Sequence, residues 1–123
     1  MLPVVFSLLA GDSDVASIVG TKIYRHGQAP QKVNGVPLAP PYVTWFVASG
    51  APANELDGTP RVDNYTVQID CWSDSDAEVE QLAEAVRNAI EPLHHMTAVG
   101  LNGRDPDSMR YRISLTFTFW TPR

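Results

Sequence analysis

The stretch Tyr65-Thr66-Val67-Gln68-Ile69-Asp70-Cys71-Trp72 constrains this chain more than any other. Tyr65, Val67, Ile69 and Cys71 alternate with Thr66, Gln68, Asp70 and Trp72, a period of two that sends one set to a core and the other away from it. Tyr111, Ile113, Leu115, Phe117 and Phe119 repeat the pattern against Arg110, Arg112, Ser114, Thr116, Thr118 and Trp120. Two such strands imply a sheet with one apolar and one polar face, as in antiparallel pairing.

An apolar face needs a cover. The segment after Trp72 supplies one, because Val79, Leu82, Ala83, Val86 and Ile90 recur at helical spacing. Ser75 and Glu78 have the spacing of a capping box, Asp74, Asp76 and Glu78 suit the positive end of the helix dipole, and Pro92 stops the run. The spacing predicts a helix over about 74–91. Near the N-terminus, Pro3 to Ala10 reads as a short helix with proline in its first turn, ended by Gly11. Asp12 or Ser13 caps a second, in which Val15, Ile18 and Val19 face inward.

Tyr42–Ala48 reads as a further strand, with short extended pieces at Ile23-Tyr24 and around Met96–Leu101. Arg25–Pro41 carries Gly27, Pro30, Asn34, Gly35, Pro37, Pro40 and Pro41 and reads as a long loop; Ser49–Pro60 reads as a second. The expectation is therefore α+β: a two-layer antiparallel or mixed sheet of about four strands, with one main helix and short N-terminal helices on one face. A length of 123 residues suits a single domain over 1–123.

Nine basic against fourteen acidic residues give a net charge of -5, which disfavours a phosphate backbone as partner. Cys71 stands alone, which excludes an intrachain disulfide and a cysteine-based metal site; in its strand register it reads as a small buried hydrophobe. The apolar run from Leu2 to Ala10 has no basic residue before it and is followed by Asp12 and Asp14, so it does not read as a signal peptide. No segment approaches the roughly 20 apolar residues that span a bilayer. A soluble chain in a reducing cytoplasm is expected.

A search for catalytic chemistry finds none. His94 and His95 are adjacent, point apart and lie far from His26, so a solvated turn explains them better than a metal site. No nucleophile elbow, phosphate-binding loop or dinucleotide fingerprint occurs. The acids Asp74, Asp76, Glu78, Glu80 and Glu84 fit a helix start and its outer face. Asp70 and Arg112 lie on polar strand faces and are placed to pair across the sheet; an exposed pair contributes about 0–1 kcal/mol. Trp45, Trp72 and Trp120 lie in or at the end of strands, the last two opposite the apolar rows. They fit either packing at the sheet rim or contact with another subunit.

The order of parts resembles a known family. An N-terminal helical region precedes Ile23-Tyr24, a proline-rich loop ends in Pro41-Tyr42-Val43, and Tyr65-Thr66-Val67-Gln68-Ile69-Asp70-Cys71-Trp72-Ser73 leads directly into Ala77-Glu78-Val79-Glu80-Gln81-Leu82-Ala83-Glu84-Ala85-Val86-Arg87. An aromatic-rich strand closes the chain. This is similar to the small tail-completion (tail terminator, or tail-to-head joining) proteins of long-tailed phages and prophages. The resemblance implies a non-enzymatic virion protein, without cofactor, catalytic residues or metal. It would assemble in the bacterial host cytoplasm, commonly as a hexameric ring of identical copies at the tail–head junction. The implied partners are the tail tube protein and a head-completion or connector protein, with no membrane and no sequence-specific nucleic acid. Interface roles fall on Arg25, Tyr42, Asn54, Glu55, Leu56, Asp57, Trp72 and Trp120. A head-completion or neck adaptor is the alternative reading, and a small enzyme a third.

Overall fold

The computed structural model describes residues 2–52 and 61–122. Two short helices open the chain, α1 (Val5–Ala10) and α2 (Ser13–Val19), followed by β1 (Ile23–Arg25). A small hairpin of β2 (Lys32–Val33) and β3 (Val36–Pro37) precedes the long strands β4 (Tyr42–Pro52) and β5 (Val62–Ser73). Helix α3 (Asp76–Ile90) then leads to β6 (His95–Arg104) and β7 (Tyr111–Pro122). The main sheet has five strands in the order β1-β4-β5-β7-β6. It is mixed, because β1 runs parallel to β4 while the other pairs are antiparallel. The fold is thus α+β as expected, with five strands instead of about four. The addition comes from the two extended pieces, which join opposite edges of the sheet.

The alternation works as read. Val67, Ile69 and Cys71 lie opposite Phe117, Leu115 and Ile113, and Val43 and Trp45 extend the row onto β4. These side chains form one core with Val5 and Leu9 of α1, Val15 and Val19 of α2, and Val79, Leu82, Val86 and Ile90 of α3. All three helices therefore cover the same face. Burying a side chain of this kind contributes about 1.5–3 kcal/mol, so the stripe, more than helix propensity, holds α3 in place.

The caps differ from the sequence reading in detail. Asp12 caps α2 by accepting from the N–H groups of Asp14 and Val15, both at 3.0 Å. Pro3 lies before α1, whose N-cap is Val4, and not inside its first turn. At α3 the Ser75 hydroxyl accepts from the Glu78 N–H at 3.3 Å, but the returning half of the box runs through a third residue. The Ser75 N–H donates to Ser73 Oγ at 3.0 Å, and that hydroxyl donates to Glu78 Oε1 at 2.7 Å. Ser73 is fully buried, so the strand's last residue is tied to the helix's first turn.

Strands take up part of both segments that read as loops. Asn34 and Gly35, with φ of 53° and 78°, form the two-residue turn of the β2–β3 hairpin inside the 25–41 segment. Asn-Gly suits such turns because both central residues take positive φ. Strand β4 runs on to Pro52, through the expected start of the 49–60 loop, because a bulge between Val47 and Ser49 restores pairing with Thr66 and Tyr65. Gly50 lies opposite Tyr65, and a Cβ there would fall 2.6 Å from the tyrosine ring, so only glycine fits without moving it. Asn54, Glu55, Leu56 and Asp57 lie outside the described residues.

Candidate functional site

The face of the sheet opposite the helices carries a row of aromatic and charged side chains. Tyr42, Trp72 and Arg112 are cross-strand neighbours on β4, β5 and β7. The rings of Tyr42 and Trp72 stack with centroids 6.0 Å apart and 23° between planes. The Arg112 guanidinium lies 5.0 Å from the Trp72 ring centre, and that of Arg110 lies 5.5 Å from Tyr42. Tyr24 of β1 meets Tyr42 edge-on at 6.5 Å. Each guanidinium sits over the electron-rich face of a ring, an attraction of about 0.5–1 kcal/mol at exposed sites and more where water is displaced.

Hydrogen bonds fix the row. Trp72 Nε1 donates to Thr44 Oγ1 at 3.0 Å, Arg110 donates to Tyr42 Oη at 3.0 Å, and Arg112 Nη2 donates to Asp70 Oδ2 at 2.9 Å. Gln68 Nε2 donates to the other carboxylate oxygen of Asp70 at 3.0 Å. Arg110 Nε stands 3.9 Å from the exposed Asp74 carboxylate. Asp70 and Arg112 do pair across the sheet, as their strand parity led one to expect, but the pair is not an exposed one. The Asp70 side chain is only 3% exposed, and Arg112 and Gln68 take both its oxygens. In such a place the pair sets the register and seals a charge from water.

The residues singled out from the sequence therefore scatter. Tyr42 and Trp72 come together. Arg25 belongs to the other face, at the end of β1, with its guanidinium 5.3 Å from the ring of the buried Trp45. Trp120 is 48% exposed near the far end of β7, in an apolar groove with Val4, Leu8 and Leu93. Arg110 was missed as a site residue. Its signal was the alternation of arginines before and within the last strand, Arg110 and Arg112, on the face shared with Trp72.

The histidines are not simply a solvated turn. His94 stacks on Phe119 at 4.0 Å, and its Nδ1 accepts from the Trp120 N–H at 3.3 Å. Burial pushes its pKa below the ordinary histidine value. His95 opens β6. Cys71 is fully buried, as its register required, and burial first and the Asp70 charge second push its thiol far above the ordinary range. Among the described residues no group of three or more His, Cys, Asp or Glu is placed to hold a metal ion, and no helix is long and apolar enough to cross a membrane. Among the described residues, the polar face presents planar cations, rings and carboxylates engaged with one another.

The family model described as "Tail completion protein gp17" matches residues 3–122. Among solved structures, a chain from "Virion of native gene transfer agent (GTA) particle" superposes with a TM-score of 0.78 at 22% identity, covering 97% of this chain and 92% of that one. At that identity the likeness concerns the fold. No curated protein sequence matches.

Proposed function

Because this chain belongs to the tail completion protein gp17 family, we propose that it closes the tail tube of a phage-like virion as a ring of identical copies and joins that tail to the head. The family is structural and the chain is not an enzyme. It is a tail completion protein, a component of a phage-like virion. The observation that carries the finer reading is the match from residue 3 to residue 122, which takes in every described element of the fold.

In this reading the chain works as one domain, and a hexamer is the expected ring. The tail tube protein and a head-completion or connector protein lie on its two sides. The 25–41 segment with Arg25, the end of β7 with Trp120, the aromatic row with Tyr42 and Trp72, and Asn54, Glu55, Leu56 and Asp57 are the contacts we assign to partners. The sheet positions the described ones among these segments, an arrangement that suits recognition by loops.

Deletion of the gene in a virion-producing host tests the reading. Tails of uncontrolled length that fail to join heads are the expected products. Normal virions would overturn it, and headless tails of normal length would favour a neck adaptor instead.

A further inference from the structure

We propose that copies of this chain join head to tail through opposite ends of the sheet, the β1/α1 end of one copy seating in the α3/β6 groove of the next. This rests on the ring reading above and adds which surfaces meet. Strand β1 forms one edge of the five-stranded sheet and β6 the other, so the two surfaces lie at its opposite ends.

At the β1 end, Val4 and Phe6 are 60% and 46% exposed, and with Ile23, Arg25 and Trp45 they border a cleft of about 370 Å³. Arg25 is exposed, rests on the Trp45 ring and has no carboxylate partner among the described residues. A cation and apolar side chains thus share one patch.

At the other end, a groove of about 440 Å³ lies between α3 and β6, floored by Ile113 and Leu115. Val99 beside it is 56% exposed. Glu80 and Glu84 line its helix side, four residues apart, and neither has a cationic partner among the described residues. Arg87, on the same rim, is paired with Glu91 at 3.8 Å. Two like charges four residues apart destabilise a helix, and a cation from outside relieves that repulsion.

The surfaces are complementary in both respects, apolar to apolar and cation to anions. Complementary charge of this kind selects the partner and suppresses the wrong pairing. A twofold dimer through either end alone would set like charges together. The contact is therefore heterologous, and such contacts close into a ring when the rotation per copy allows it.

The test uses the full chain by sedimentation velocity, alone and with purified tail tubes. One variant carries Arg25→Glu, and a second carries Glu80→Lys with Glu84→Lys. All three positions are exposed, and unchanged thermal unfolding confirms that each variant folds. Each variant alone is expected to self-associate about tenfold more weakly or worse. An equimolar mixture is expected to recover assembly, because copies then alternate with opposite charges facing. Variants that assemble like the parent overturn the edge assignment while the ring stands. Loss of assembly that mixing fails to repair also overturns the pairing. A parent chain that stays monomeric even on tail tubes removes the ring and the interface together.

Discussion

Arg112 holds the Asp70 carboxylate at 2.9 Å from one strand over and two residues off register, since Asp70 lies directly opposite Ser114 and Arg112 opposite Trp72. The diagonal reach places the guanidinium on the carboxylate and on the indole ring together. Arg112→Ala leaves a nearly buried carboxylate with Gln68 as its remaining partner. Removing one member of a buried pair costs about 3–5 kcal/mol; because Arg112 keeps some contact with water, about 2–4 kcal/mol is expected, measured by urea unfolding. Asp70→Asn together with Arg112→Met should cost less than either change alone, since no charge is then left unpaired. A loss equal to the sum of the singles would contradict this account.

Gly50 meets the Tyr65 ring across β4 and β5 at a distance that admits no Cβ. Gly50→Ala should destabilise by about 1–3 kcal/mol, the usual cost of overpacking. Pairing it with Tyr65→Ala should recover part of that loss, which a double-mutant cycle on thermal unfolding will read as coupling.

Ser73 and Ser75 act through one relay at the start of α3. Ser73→Ala removes both a donor to Glu78 and the acceptor of the Ser75 N–H. A loss of about 1–2 kcal/mol is expected, comparable to losing an N-cap. Combined with Ser75→Ala the losses should be less than additive, as chemical denaturation of the three variants will show.

His94 gives stability a pH dependence of definite sign. Burial lowers its pKa in the folded chain, and its Nδ1 must stay unprotonated to accept from Trp120. The unfolded chain then binds a proton more readily than the folded one, so this contribution is present above the ordinary histidine value of about 6.5 and is lost as pH falls through it toward the lowered folded value. His94→Phe should flatten the stability profile in that window while keeping the stack on Phe119. Equal slopes in parent and variant would assign the dependence elsewhere.

The parts legible in the sequence are those where burial repeats with a fixed period. Strands β5 and β7 and helix α3 each bury one face, and Val67, Leu115 and Leu82 announce it. The edges were harder. Strand β1 is three residues long, and β6 breaks its alternation at two irregularities, between Met96 and Ala98 and between Val99 and Asn102. The Asn34-Gly35 turn is a strong local signal, but each strand of its hairpin has two residues, too few to alternate. In the site, the Asp70–Arg112 pair followed from strand parity. The Arg110–Tyr42 contact did not, since it joins residues 68 apart through a turn no pattern positions.

Cys71 sits at the centre of the sheet, between Val43 and Ile113, and is the only thiol in the chain. A thiol reagent can reach it only when that centre opens. Its rate of labelling in native buffer is therefore a clock for the opening of the core, already installed and needing no engineered probe. Run on free chains and on assembled particles, the same clock measures how much neighbouring copies slow that opening.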